Sequence, residues 1–323
     1  MIFDGHSDIW SDVTIRTLSG ETDILKKYHL PRLRKGNIEG SIFVIWVDPP
    51  YDNNPSKRTK EVMESIIKEV NICDEIAVVK NYNEMLEAKA KNKFYIFIGI
   101  EGLSSIGDDI SKIDEFYDFG ARHAMLTWNE ENALGTGVQG NPNRGLTSLG
   151  KQAVKKIIDK GMIMDVSHLN QKSFWDVISI ANRPIIASHS NARALSDVER
   201  NLTDEQLIAI KNMGGLVGIN SFNRFVSIDL KNQNIDNLVK HIEYIANKIG
   251  TEHLVFGFDF FEFMSVDSMK SYSDQNTSYT VGLEDCSKVP DLIKKMKIVG
   301  FSDKEIEDIS YKNYHNFIKN ILK

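Results

Sequence analysis

Eight short runs of apolar, largely β-branched residues recur along the chain, each separated from the next by a longer stretch. They are IFDGHSD (2–8), SIFVIWV (41–47), FYIFIGIEG (94–102), HAMLTW (123–128), MIMDVSH (162–168), PIIASHS (184–190), GGLVGIN (214–220) and HLVFGFDF (253–260). Runs this continuously apolar suit strands buried on both faces, which is the setting of a parallel sheet. The stretches between them (56–91, 109–120, 147–161, 170–182, 202–214 and 234–250) carry apolar residues every three or four positions and are expected to be helical. Thr203 with Gln206, and Ser302 with Glu305, read as capping boxes, and Gly161, Gly214 and Gly250 stand where helices end. Eight such units in 323 residues predict a single α/β domain over 1–323, a (β/α)8 TIM-type barrel. An open doubly wound sheet fits less well, because no glycine-rich phosphate loop follows the first run. The last stretch, 291–322, predicts two C-terminal helices, and the polar segment 261–290 after the eighth run predicts an active-site loop.

Composition narrows the function. The chain is 41% hydrophobic and 26% charged with a net charge of −6, so a large core is available and no basic patch marks a nucleic-acid partner. No run approaches the roughly 20 apolar residues of a membrane span. No basic-then-apolar leader is visible, and Cys73 and Cys286 lie far apart in no metal motif. A cytoplasmic enzyme without membrane or nucleic-acid partners is the expectation.

The polar residues inside these strands concentrate at one end. His6 and Asp8 close the first run, Glu101 the third, His168 the fifth and His189 the sixth, and Asp259 lies in the eighth. In a closed barrel the carboxyl ends of all strands surround one mouth, so these groups converge there. His6 and Asp8 are two apart and point the same way. Imidazole and carboxylate are ligands for zinc and similar divalent ions, and there are more of them than the three that one catalytic zinc uses. The surplus suggests two ions about 3.5–4 Å apart sharing a hydroxide. Glu101 is the natural bridge, with His6 and Asp8 on one ion and His168 and His189 on the other, which leaves Asp259 as proton carrier. The remaining histidines read as ordinary: His29 in a loop, His241 and His315 in helices, His123 and His253 at strand starts.

The pieces DGHSD (4–8), GIEG (99–102), DVSH (165–168), ASHSNARAL (187–195), RNLTDEQL (200–207) and GFDF (257–260) together resemble the membrane (renal) dipeptidase family, peptidase family M19, among the amidohydrolase-like metal barrels. The resemblance implies a binuclear zinc enzyme that cleaves free dipeptides, including those with a C-terminal D-residue, by attack of a metal-bridged hydroxide. It places the metal ligands on His6, Asp8, Glu101, His168 and His189, and the catalytic aspartate on Asp259. The substrate-binding arginine falls on Arg200, whose guanidinium fork suits a dipeptide's carboxylate. The family's dimers carry the expectation of a homodimer. Two departures stand out. Mammalian members end the fourth strand with LTH; here LTWNEEN (126–132) puts Trp128 where a histidine contacts the substrate carbonyl, a pattern shared with bacterial relatives. Trp128 then shapes the pocket, and Asn129, Asn132 or the metals take over the lost donor. The family's DFDG reads DFFE (259–262), so Phe261 replaces a second aspartate. The alternatives are another amidohydrolase on this barrel (lactonase, acylase or deaminase) or a non-catalytic metal- or peptide-binding barrel.

Overall fold

The computed structural model describes residues 1–264 and 279–322. Nine strands form its sheet: β1 Ile2–Ser7, β2 Ile38–Trp46, β3 Ile76–Val78, β4 Phe94–Glu101, β5 Ala121–Met125, β6 Ile163–Asp165, β7 Ile186–Ala187, β8 Leu216–Ile219 and β9 Leu254–Phe256. Every pairing is parallel, and the β2–β4 and β1–β9 pairings close eight of the strands into a barrel wrapped by helices. Each of the eight apolar runs overlaps one barrel strand; β2 and β5 begin before the runs at 41–47 and 123–128. β3 is the ninth. It pairs with Phe94–Ile96 of β4, while β5 pairs with Ile98–Ile100, so the two share one edge of β4.

β3 corrects the sequence reading of 56–91 as one helical pattern. That stretch is a helix, Pro55–Ile72, then β3, then a helix, Tyr82–Ala90. The β-branched run in EIAVV is too short to disturb a helical period counted over a long window. The capping boxes at Thr203/Gln206 and Ser302/Glu305 are both formed. The two C-terminal helices are Val289–Val299 and a segment running from Asp303 through a π-helical turn, Asp308–Lys312, to Ile321. The expected loop over 261–290 lies partly outside the described residues. Both cysteines are buried and free. Among the described residues no helix is long and apolar enough to cross a membrane.

Alternation along the strands sorts side chains into two cores. Ile42, Val44, Tyr95, Phe97, Ile163, Ile186, Leu216 and Val255 fill the barrel interior, and Tyr314, Phe317, Ile318 and Ile321 of the last helix pack into the same cluster. Their neighbours in sequence, such as Phe43, Ile96, Ile98, Val217 and Phe256, pack against the surrounding helices. In β4 the interior-facing series Tyr95, Phe97, Gly99 ends on Glu101, so the strand's own period delivers that carboxylate to the interior. β1 needs a bulge to do the same. Asp4 pairs with Ser41 and Ser7 with Phe43, so β1 carries one extra residue there. The bulge turns the parity, and Phe3 and His6, three apart, share the interior face. Asp4 secures the bulge by accepting from the Phe258 amide at 2.9 Å.

At the mouth the backbones close tightly on Ser188. A Cβ at Gly218 would lie 1.7 Å from the Ser188 carbonyl oxygen, and one at Gly257 1.8 Å from it. Because the obstruction is backbone, it cannot swing away. Gly218→Ala is expected to cost about 2–3 kcal/mol of stability, measured by urea denaturation, and to reduce stability rather than raise it as a helix-type Gly→Ala change would.

Candidate metal centre

The strands place each predicted residue where the barrel opens. His6 and Asp8 come from the end of β1 and Glu101 from the last position of β4. His168, His189 and Asp259 lie two or three residues past the ends of β6, β7 and β9. The last three therefore escape strict strand alternation and are aimed by the turns that follow. Their side chains meet. Glu101 Oε2 is 3.6 Å from His6 Nε2, and Glu101 Oε1 is 2.7 Å from His168 Nε2 and 3.7 Å from His189 Nε2. His6 Nε2 lies 3.6 Å from Asp8 Oδ2 and 3.8 Å from Asp259 Oδ1. Glu101 thus presents Oε2 to His6 and Oε1 to His168 and His189, and the His6 and His189 rings lie 3.9 Å apart between centroids.

Three observations show that this donor set fits divalent cations. Both ring nitrogens of His6 and Oδ1 of Asp8 are buried without a hydrogen-bond partner, a costly state for polar atoms unless something else satisfies them. His6, Glu101 and His189, and separately His6, Asp8 and Asp259, each offer ligand atoms within 4.8 Å of one another. Third, His168 Nε2 and His189 Nε2 face each other at 2.8 Å, and their outer nitrogens are engaged elsewhere. His168 Nδ1 donates to Asn129 Oδ1 at 2.9 Å, which leaves its Nε2 lone pair pointing into the cluster. His189 Nδ1 lies 2.7 Å from Ser188 Oγ.

A chain of hydrogen bonds orders that second imidazole. The Ser167 hydroxyl donates to Asp165 Oδ1 at 2.7 Å, and Ser188 Oγ lies 3.3 Å from Ser167 Oγ. With Ser167's proton committed, Ser188 donates to Ser167 and accepts from His189 Nδ1–H, so His189 Nε2 keeps its lone pair. Asp165 anchors the chain. It also accepts from the amides of Ser167 (2.9 Å) and Ser188 (3.2 Å) and pairs with His123 Nε2 at 2.7 Å. Sequence reasoning missed Asp165, Ser167, Ser188 and His123 as parts of the site. The signal was present in DVSH, where Asp165 ends β6 and Ser167 follows two residues later in the turn. His123 belongs to this support rather than to the far end of the barrel. His29 is likewise not in a loop; it lies in a helical turn, Leu25–His29, buried against Asp12 at 2.8 Å.

The electrostatics follow from the arrangement. Burial disfavours a charged His6, but the Glu101 and Asp8 carboxylates beside it reverse that and hold its pKa well above the usual histidine range. Burial, joined by Arg200, keeps His168 neutral, and burial, joined by His6 and Arg200, does the same for His189. Burial and then the neighbouring carboxylates push Asp8 and Asp259 upward. The cluster attracts positive charge, which is what cations would supply. Asp259 adopts a left-handed backbone, φ 58°, unusual for a residue other than glycine. Its Oδ2 accepts from Asn220 Nδ2 at 3.0 Å. Asn220 cannot flip, because its Oδ1 accepts from the Phe222 amide at 2.6 Å. Asp259 Oδ1 is thereby the oxygen turned to the cluster.

The centre opens into a cavity of about 400 Å3 lined by Asp8, Glu101, His168, Arg200 and Asp259, and by Trp128 and Asn129. Arg200 is 7% exposed. Its Nη1 donates to the Ser167 carbonyl and to Ser190 Oγ (3.4 Å), and its Nη2 to the His189 carbonyl (3.3 Å) and His168 Nε2 (3.3 Å). Trp128 packs between Trp46 and His168, with ring centroids 5.3 and 6.2 Å away.

Comparison with known proteins accords with this geometry. The profile of the membrane dipeptidase family (peptidase family M19) matches residues 1–322. The chain is 30% identical over 341 residues to an uncharacterized dipeptidase of Schizosaccharomyces pombe, covering 97% of this chain and 78% of the relative. It is 32% identical to an uncharacterized protein in the pqqA 5′ region of Klebsiella pneumoniae, covering 69% and 80% respectively. In fold it is similar to the family M19 metallopeptidase dipeptidase AC (TM-score 0.86, 24% identity, 99% and 98% of the two chains). It is equally similar to a Rhodobacter sphaeroides metallopeptidase liganded with a phosphinate mimic of the dipeptide L-Ala-D-Ala (TM-score 0.86, 22% identity, 99% of each chain).

Burial alone would raise the Asp165 pKa, but the His123 hydrogen bond, with those from Ser188 and Ser167, brings it below the ordinary carboxylate range. Its contribution to stability is therefore present above its unfolded-state pKa and lost as pH falls below it. Asp165→Asn is expected to cost about 3–5 kcal/mol near neutral pH in chemical denaturation. That gap should persist down to about pH 4 and shrink below it.

Proposed function

The chain belongs to the membrane dipeptidase family, peptidase family M19, whose members are metal-dependent peptide-bond hydrolases, and from this we propose that it is a binuclear metallo-dipeptidase acting on free dipeptides. The observation that carries the reading is the convergence of three imidazoles on Glu101 and of Asp8 and Asp259 on His6, with His6 and Asp8 atoms left unsatisfied by protein. In this reading His6, Asp8 and Glu101 hold one ion, and Glu101, His168 and His189 the other, zinc being suited to such nitrogen and oxygen donors. Bound there, the ions supply positive charge to the scissile carbonyl oxygen and acidify the attacking water.

The protein's own groups do the rest. Asp259, held through Oδ2 by Asn220, uses Oδ1 to take a proton from the attacking water and hands it to the amide nitrogen as the C–N bond breaks. Two free amino acids leave. Arg200 takes the substrate's C-terminal carboxylate. Its Nη1 stays on Ser167 and Ser190 and one Nη2 proton on the His189 carbonyl, which leaves Nε and the other Nη2 proton as the donors that would face a carboxylate. Asn129 acts first by fixing His168, and it also lines the cavity beside Trp128. Acceptance of a C-terminal D-residue is part of the proposal; it is supported by the L-Ala-D-Ala mimic bound to the Rhodobacter sphaeroides relative.

Asp259→Asn is expected to retain both metals, counted by elemental analysis, and to lose turnover about 10²- to 10⁴-fold. Near wild-type turnover in that variant would remove Asp259 from the proton path. Dipeptides capped as C-terminal amides should show kcat/KM lowered about tenfold or more, because a charge-assisted pair with Arg200 is lost. Equal rates for acids and amides would contradict the assignment of Arg200.

A further inference from the structure

The wall of the cavity beside Arg200 is aromatic. The Arg200 guanidinium lies over the Phe225 ring, 5.2 Å from its centroid. Phe222 follows at 4.8 Å from Phe225, and Phe261 at 5.5 Å from Phe222. All three phenylalanines line the same cavity as Arg200 and Asp259. The wall is braced from behind: Phe261 stacks on Tyr279 at 5.7 Å, and the Phe222 amide is held by Asn220. Phe222 and Phe261 are 6% and 9% exposed, so their rings are set before any ligand arrives.

A dipeptide's terminal carboxylate and the side chain of its last residue hang from one α-carbon. Where the carboxylate is gripped, the side chain lies close by. The Nη1 edge of Arg200 is closed by Ser167 and Ser190, and the Nη2 side abuts His189 and His168. Among the described residues, the aromatic part of the lining next to the guanidinium is Phe225, continuing into Phe222 and Phe261, with Val198 and the charged Asp197, Glu199 and Arg224 elsewhere in the same lining. Phenylalanine rings offer no hydrogen bond, so a polar side chain placed there gives up its hydration without replacement, whereas an apolar one gains burial and ring contact.

We infer that Phe222, Phe225 and Phe261 form the subsite for the C-terminal side chain, and that the enzyme favours dipeptides ending in a large apolar residue. This rests on the dipeptidase reading above. The test pairs turnover with binding. Ala-Ala, Ala-Ser, Ala-Leu and Ala-Phe, with the last residue in both configurations, are compared by kcat/KM. Analogues of the same set in which the peptide bond is a methyleneamine, and so cannot be cleaved, are compared by calorimetry on the metal-loaded enzyme. Within the better configuration, the Leu and Phe compounds are expected to exceed the Ala and Ser compounds about tenfold or more in both assays. Phe222→Ala should remove most of that ratio, mainly through KM. Similar values across the set in both assays would overturn the subsite, and the wild-type panel decides this even if the variant does not fold. Discrimination among the analogues with no cleavage of any dipeptide would leave the subsite standing and overturn the dipeptidase reading instead.

Discussion

Glu101 is the residue on which the site depends. It presents one oxygen to His6 and the other to His168 and His189, and it does so from inside a barrel where its side chain is almost fully buried. A carboxylate in that position is expensive unless matched by positive charge. The protein matches it only in part: His6 is drawn toward its charged form, but His168 and His189 are held neutral. The same burial that makes the cluster costly makes it a strong trap for cations, and the surrounding fold reads as the means of keeping it assembled.

That assembly has a division of labour. β1 and β4 deliver His6 and Glu101 directly from strands, at the price of a bulge in β1, and Asp8 follows one residue past the end of β1. His168, His189 and Asp259 come from turns and are each pinned by a neighbour: Asn129 for His168, Ser188 with Asp165 behind it for His189, and Asn220 for Asp259. Tight backbone contact of Gly218 and Gly257 with the Ser188 carbonyl brings β8 and the end of β9 close enough for these bonds to form. The left-handed backbone at Asp259 belongs to the same scheme, since strain at a functional residue persists only where its surroundings over-determine it.

The barrel and the ligand set were legible in the amino-acid order because both rest on local pattern. Eight apolar runs mark eight buried strands, and a histidine or carboxylate at the end of such a run stands out against its apolar neighbours. What could not be read is what depends on three-dimensional register. β3 hid inside a helical period. The β1 bulge, which turns His6 to the interior, leaves no trace in IFDGHSD. Asp165 and Ser167 looked like companions of His168, and only the pairing of β5 with β6 shows His123 meeting Asp165. Arg200 was placed by the resemblance alone, and nothing in the sequence singled out Phe222 and Phe225, which the fold brings to the same cavity.

The central claim is that the buried cluster around Glu101 is a two-ion centre, and metal content per chain tests it most directly. Protein purified without chelator and measured by elemental analysis is predicted to carry two divalent ions per chain, falling to one or none when Glu101 is replaced by Gln. Wild-type protein that stays metal-free after zinc is added back, or that saturates at a single ion, would contradict the account.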